Sequence, residues 1–332
     1  MNACLQFSEL LQTFFTDRLM HQRQASCHTV ASYRDTFRLL LRFAQEQTGK
    51  QPTKLTMEDL EAPFVGKFLH HLEKDQGLSA RSRNIRLAAI HSFFRYVALT
   101  EPAYSALAQR VLAIPGKRFD RKPINYLTRP EVEALLAAPD RATWGGRRDY
   151  TLLLVGVQTG LRISELIGLH CEDVVVGTGA SVRCRGKGRK ERTTPLRKDA
   201  VAALRVWLRE RAGCPTDFLF PNAQGGRLSR DGVEYLLAKH LAKARKNCSS
   251  LAQKRVSMHV LRHSMAMDLL HHGVERSVIA LWLGHESVTS TNMYLHADMM
   301  MKEQVLAKTA PHKTRRGHYR PPDHLLAFLK SL

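Results

Sequence analysis

Phosphate-philic side chains occur in a fixed order along this chain. Thr159-Gly160-Leu161-Arg162-Ile163-Ser164-Glu165 comes first, then a basic turn, Gly186-Lys187-Gly188-Arg189-Lys190, then His259-Val260-Leu261-Arg262-His263, Leu283-Gly284-His285 and Tyr294. A guanidinium group presents a planar fork of donors that can hold two oxygens of one phosphate, which an ammonium group cannot do. Arg162 and Arg262 are therefore the candidates for stabilising charge on a reacting phosphate. Removing one such donor costs about 3–4 kcal/mol of barrier, roughly a hundred- to thousandfold in rate. Two other chemistries are excluded by spacing. A nucleotide-binding P-loop needs four residues between its glycines and then Lys-Ser/Thr, and Gly186-Lys187-Gly188 has neither. His259 and His263 lie one helical turn apart as in a zinc protease, but Val260 stands where the general-base glutamate belongs.

The charge balance points to the same kind of partner. The 332 residues carry 51 Lys and Arg against 30 Asp and Glu, a net charge of +21, and the sequence pI is about 10.1. A polyanion is the expected partner, and duplex nucleic acid is the reading that phosphate neutralisation favours. A lipid surface would call for a basic amphipathic helix or a lipidation signal, and neither is present. With 44% hydrophobic and 24% charged residues, the composition is globular and excludes disorder, collagen and a small disulfide scaffold. No apolar run approaches the roughly 18 residues of a membrane span. The start, Met1-Asn2-Ala3-Cys4-Leu5-Gln6, has no basic segment followed by an apolar core. A cytoplasmic protein with no membrane association is expected, its six scattered cysteines (Cys4, Cys27, Cys171, Cys184, Cys214, Cys248) reduced and structural.

Taken together, the ordered runs and the nine-residue step from His285 to Tyr294 resemble the tyrosine recombinase (phage integrase) family, which includes Xer-type recombinases and mobile-element integrases. Any one run alone is a weak signal, and the whole constellation is specific. The resemblance implies a catalytic set of Arg162, Lys187, His259, Arg262, His285 and Tyr294, with Tyr294 as nucleophile. Lys187 occupies the family's position for the acid that protonates the leaving 5′ oxygen. His259 and His285 would hydrogen-bond the phosphate, with His259 accepting the nucleophile's proton. No cofactor and no metal is implied, because Arg, Lys and His fill every phosphate-stabilising role. Duplex DNA is the expected substrate, bound by a homotetramer on paired sites, with accessory proteins or partner recombinases as further partners. Arg81, Arg83, Arg86, Arg189, Lys190 and Arg192 are the expected DNA contacts, and the two domains would form a C-shaped clamp.

The nucleophile sets the demand on the site. A free tyrosine has a pKa near 10, so about one molecule in a thousand is phenolate at pH 7. The cationic cluster and a base must supply roughly 4 kcal/mol to activate it. A phosphotyrosine bond then stores the phosphodiester energy, so rejoining needs no ATP. Each residue has a plainer reading beside this one. Arg162 and Glu165 could be a surface ion pair, with Glu165 orienting Arg162 if it is not. His263 reads as a structural histidine. Lys187 shares its turn with Arg189, Lys190 and Arg192, and a solvated basic turn would look the same. Tyr319 is the other tyrosine in a basic context, but its spacing from His285 does not match. A catalytically silent DNA-binding relative and a type IB topoisomerase are the alternative functions. The 38 residues after Tyr294 favour a mobile-element enzyme over a minimal recombinase.

The elements that must hold these residues are mainly α-helical with a small antiparallel β-sheet, an α+β chain. A helical, SAM-like core-binding domain is expected over 1–112, a Pro- and Gly-broken basic linker over 113–126, a catalytic domain over 127–310, and a basic tail with an apolar C-terminal segment over 311–332. Apolar residues at helical spacing predict helices over 7–15, 29–47, 57–75 and 79–99. Thr56 is placed as a cap with Asp59 at the third helical position, and Thr128 with Glu131 likewise. In the catalytic part, 149–157 reads as a helix, 174–176, 181–185 and 191–196 as strands around the Lys187 turn, and 198–212, 229–244 and 257 onward as helices. Leu325-Leu326-Ala327-Phe328-Leu329, behind Arg320-Pro321-Pro322, is expected to dock on a neighbouring protomer.

Overall fold

The computed structural model describes residues 5–120, 124–186, 191–211 and 217–284. The chain divides into two compact units, Met1–Arg121 and Lys122–Leu332.

In the first unit, α1 (Phe7–Thr13) runs on into a π-helical stretch, Phe14–Gln22. The π-helix bonds residue i to i+5, and Phe14 and Leu19, five apart, are both fully buried. Next, α2 (Cys27–Thr48) starts at Ser26, whose Oγ accepts the Thr29 N–H at 3.2 Å. The helix expected over 57–75 is two pieces, a 3₁₀ turn at Glu58–Leu60 and α3 (Ala62–Lys74). Pro63 explains the break, since it lacks the N–H that a continuous helix would use there and is tolerated only in a first turn. The Asp59 carboxylate accepts from Thr56 N at 2.9 Å and from Lys50 Nζ at 2.6 Å. The helix α4 (Ala80–Thr100) is capped by Ser79. A further helix that the sequence reading missed, α5 (Ser105–Leu112), buries Leu107, Ala108 and Val111. At the centre, Phe93 meets Phe7, Phe14 and Phe37 edge-on, with centroids 5.9, 5.5 and 5.3 Å away, the geometry that aromatic quadrupoles favour.

Part of the stretch read as a linker is fastened to this unit. Asn84 Nδ2 donates to Lys117 O at 2.8 Å and its Oδ1 accepts from Lys117 N at 3.0 Å. Lys117 Nζ pairs with Glu73 at 2.6 Å. Backbone polar groups that find side-chain partners hold a loop down even where proline and glycine interrupt its helix.

The second unit opens with α6 (Arg129–Leu136), where Thr128 N donates to Glu131 Oε2 at 2.8 Å. Glu131 is buried and also accepts from Ser250 Oγ and Lys254 Nζ. The helix α7 (Trp144–Thr159) is longer than its apolar run suggests and is buried almost throughout. After the one-turn helix α8 (Ile163–Leu166) come β1 (Val174–Val175), β2 (Ser181–Arg185) and β3 (Glu191–Pro195). Among the described residues these form an antiparallel sheet of order β1-β2-β3, with Val174 opposite Val182 and Cys184 opposite Arg192. Then follow α9 (Lys198–Arg211), α10 (Arg230–Asn247), α11 (Met258–His271) and α12 (Arg276–Leu283). The helices α6, α9 and α11 pack on α7. Asp149 of α7, buried, accepts from Arg148 and from His240 Nε2, each at 2.8 Å, so its charge is matched inside the fold. Cys27, Cys184 and Cys248 carry thiols. No helix among the described residues is long and apolar enough to cross a membrane.

Candidate active site

Arg162 stands in the short bend between α7 and α8. The bend exists because Gly160 ends α7 in the left-handed region at φ +63. A Cβ at Gly160 would lie 2.7 Å from Leu283 Cδ2, so both the turn and the close approach of α12 need glycine. Glu165, at the third position of α8, accepts the Arg162 N–H at 2.8 Å, which caps the helix. The same carboxylate accepts from Arg162 Nη1 at 2.9 Å, and Arg162 Nη2 donates to Gly284 O at 3.3 Å. The Arg162 side chain stays 35% exposed, whereas that of Glu165 is 4% exposed. The pair is thus rooted in the core at its acidic end and open to an anion at its basic end.

A second guanidinium fork holds Glu165. Arg192 of β3 donates from Nη1 and Nη2 to Oε1 and Oε2 at 3.2 and 2.8 Å. Burial pushes the Glu165 carboxyl up, but the bonds from Arg192 and Arg162 outweigh it and hold the carboxyl below its ordinary value. Cys184, opposite Arg192 on β2, is neutral here, because burial pushes its thiol up to about 11.

Arg262 projects from α11 and is 3% exposed. Its Nη1 donates to Gly160 O at 2.6 Å and its Nη2 to Leu283 O at 2.7 Å. Helix ends concentrate unsatisfied carbonyls with partial negative charge, and here the ends of α7 and α12 take one guanidinium between them. Gly284 closes α12 at φ +64. His259, one turn before His263 on α11, is exposed at the surface; its ring meets the buried His263 ring edge-on at 4.2 Å. Crowding by protein, followed by the charges of Arg262 and Arg162, lowers its pKa from the ordinary histidine value. A neutral imidazole can accept a proton.

The structure therefore brings Arg162, Arg262 and the C-terminal end of α12 together, with the charges of both arginines acting on His259. Lys187, Arg189, Lys190, His285 and Tyr294 lie outside the described residues, as do Tyr319 and the 325–329 segment. Arg81 is exposed at the start of α4, as a phosphate contact requires. Arg83 and Arg86 differ from expectation. Arg83 is 6% exposed and donates to Pro115 O at 3.0 Å, while Arg86 donates to Ser32 O and Thr36 Oγ1, each at 3.1 Å. Both guanidinium groups tie the helical unit together. Arg192 likewise faces Glu165 instead of solvent, its side chain 12% exposed.

Sequence reasoning also passed over Arg227, which donates to Ile167 O and Ser164 O at 3.2 and 3.3 Å and clamps the end of α8. Nothing in the sequence marks it. For Arg192 a signal existed: in β3 the exposed residues Glu191, Thr193 and Pro195 alternate with Arg192 and Thr194, and period-two alternation turns both inward.

Residues 125–301 match the Phage integrase family and residues 13–100 match the Phage integrase, N-terminal SAM-like domain. The chain is 58% identical over 323 residues to a protein of Sinorhizobium fredii named as an integrase/recombinase, with 97% of each chain covered. It is 33% identical over 312 residues to tyrosine recombinase XerD of Pseudomonas putida, covering 90% of this chain and 96% of that one. Two solved structures share the fold. The XerH recombinase in a post-cleavage complex with its palindromic difH substrate gives a TM-score of 0.69 at 21% identity, covering 90% of this chain and 84% of that one. The Tn1549 transposon integrase with circular-intermediate DNA gives 0.68 at 18% identity, covering 90% and 99%.

Proposed function

The chain belongs to the phage integrase family of tyrosine recombinases, and from that premise we propose that it is a site-specific recombinase of a mobile element that cuts and rejoins duplex DNA through a 3′-phosphotyrosine bond. The observation that carries the proposal is the seating of Arg162 and Arg262 on consecutive carbonyls at the end of α12, within electrostatic reach of His259. Tyr294 Oη attacks the scissile phosphorus, a tyrosyl–phosphorus bond forms, and the bond to the 5′ oxygen breaks. The Tyr294 proton passes to His259 and the leaving oxygen takes one from Lys187. Arg162 and Arg262, with His285, bind the non-bridging oxygens as the charge on them grows. A 5′-hydroxyl from the partner strand then reverses these steps, so no bond energy is lost and no nucleotide is consumed. Four strands exchanged between two duplexes require four such sites, hence a tetramer on DNA. The integrase part of this reading is supported by the name of the Sinorhizobium fredii relative, an integrase/recombinase.

The test is a nicked suicide duplex bearing the target site, incubated with the protein in excess EDTA. A covalent protein–DNA adduct is expected, and it should vanish in Tyr294→Phe. An adduct that survives in that variant, or a strict magnesium requirement for cleavage, would overturn the mechanism. DNA binding with no adduct would leave the chain a silent DNA-binding relative.

A further inference from the structure

Arg192 is absent from the proposed reaction, yet its side chain joins three elements that the reaction depends on. Its two Nη atoms fork onto the Glu165 carboxylate of α8, and Oε1 is shared with Arg162 Nη1. The guanidinium also lies against the α-carbon of Gly284: a Cβ there would meet Arg192 Nη1 at 2.5 Å, Cζ at 3.1 Å and Cδ at 3.2 Å. Gly284 O in turn accepts from Arg162. The backbone of Arg192 belongs to β3, the strand that comes after Lys187 in the chain.

We propose that Arg192 is a positioning residue: through the Glu165 carboxylate it sets the orientation of the Arg162 guanidinium, and by its seat against Gly284 it fixes the end of α12 under that guanidinium. The inference rests on the recombinase reading above for its consequence in catalysis. Its structural part stands on the contacts themselves.

The competing role, a phosphate contact, would put a second anion on a guanidinium that already holds one, whereas the Nη atoms of Arg262 rest on neutral carbonyls. The Arg192 side chain is 12% exposed and both Nη atoms are engaged with an acid. Its Nε is buried and has no hydrogen-bond partner among the described residues. A fork of two parallel bonds fixes a carboxylate plane as a single ammonium cannot. Charge enters as well. One carboxylate between two guanidinium groups leaves a net positive trio, so Arg162 keeps an unneutralised charge for the phosphate. Without Arg192, Glu165 would balance Arg162 alone, and its carboxyl would keep only the bonds from Arg162 N and Nη1. Among the described residues, the groups facing Glu165 are Arg162 from the α7–α8 bend, Arg192 from β3 and the neutral Cys184 thiol of β2.

The experiment uses the full chain and two separate readings on Arg192→Met, Arg192→Lys and wild type. The first is a ¹³C NMR titration of carboxyl-labelled glutamate, with Glu165 assigned by its loss in Glu165→Gln. In wild type Glu165 should titrate below the ordinary glutamate value, the direction in which Arg192 and Arg162 hold it. In Arg192→Met its midpoint should rise by at least about one pH unit, because burial then opposes ionisation with one cation fewer; Arg192→Lys should fall between. The second reading is the rate of adduct formation on the nicked duplex at saturating protein, with Kd measured apart. Arg192→Met should lose about a hundredfold in rate, the cost of a misplaced catalytic group, while Kd changes less than about threefold. If Glu165 titrates as in wild type, or Kd weakens with the rate intact, Arg192 is not a positioning residue. If wild type forms no adduct, the recombinase reading fails while the titration still decides whether Arg192 holds Glu165. Should Arg192→Met not fold by circular dichroism, Arg192→Lys, which keeps the charge without the fork, carries both readings.

Discussion

Arg262 and Arg162 donate to consecutive carbonyl oxygens, Leu283 O at 2.7 Å and Gly284 O at 3.3 Å. Two guanidinium groups a hundred residues apart in the chain thus meet at one end of one helix. One Nη of each rests on backbone oxygen at that helix end, and backbone does not change rotamer. Preorganised donors cost no rearrangement when charge develops in the transition state.

Substituting either arginine by lysine should slow adduct formation by about a hundred- to thousandfold, but the two should differ in stability. Arg262 is buried on two carbonyls, and Arg262→Lys should lower unfolding free energy by about 1–3 kcal/mol as one acceptor loses its partner. Arg162 is a third exposed, and Arg162→Lys should cost less. Urea unfolding of both variants checks this, and equal losses would contradict the asymmetry.

His259 carries a pH signature. A histidine whose pKa is lowered binds its proton only below the ordinary value, so at pH 7 it is neutral and able to accept one. The acid limb of the adduct rate with the free protein should therefore lie below about pH 6.5. In His259→Gln that limb should vanish and the rate fall by about a hundredfold or more. A limb that stays in place in the variant would assign it to another group.

The helical unit should separate binding from stability. Arg81→Ala should weaken DNA binding on all sequences alike and reduce the salt slope by about one, with the melting temperature unchanged. Arg83→Ala should lower the melting temperature first, because it removes the donor to Pro115 O and a cation near Glu73. Calorimetry beside filter-binding across salt concentrations reads both, and an exchange of the two phenotypes would reverse the assignment.

The docking on a neighbouring protomer expected of the C-terminal segment can be tested by truncation. Deleting residues 321–332 should leave one protein bound to a half-site while abolishing cooperative pairing and recombination. Gel-shift titrations on half and full sites, with a recombination assay, report this; normal recombination by the truncated chain would remove the segment from the account.

Local signals in the sequence carried much of the fold. The helix start at Ser79, Thr128 with Glu131, and the strand at 181–185 all depend on residues close in the chain, so their patterns survive in the chain alone. Pro63 was legible too, yet apolar periodicity from Leu60 to Leu72 masked the break it imposes. The site was legible in residue type, since Arg162, Arg262 and His259 stand in recognisable runs. Its supports were not. The acceptors of Arg262 are backbone carbonyls of Gly160 and Leu283, and a carbonyl has no letter in the sequence. Arg83, Arg86 and Arg192 read as surface charge because pairing with Pro115, Thr36 and Glu165 is decided only by packing.

The helix that receives both arginines, α12, has only eight residues. Helices so short are marginal by themselves and their last turns open most readily. Warming should therefore loosen the grip on Arg162 and Arg262 together, well before the buried α7 lets go. Heat inactivation would then precede heat denaturation, with cutting lost at temperatures where the protein still shows its full helical circular dichroism, and regained on cooling.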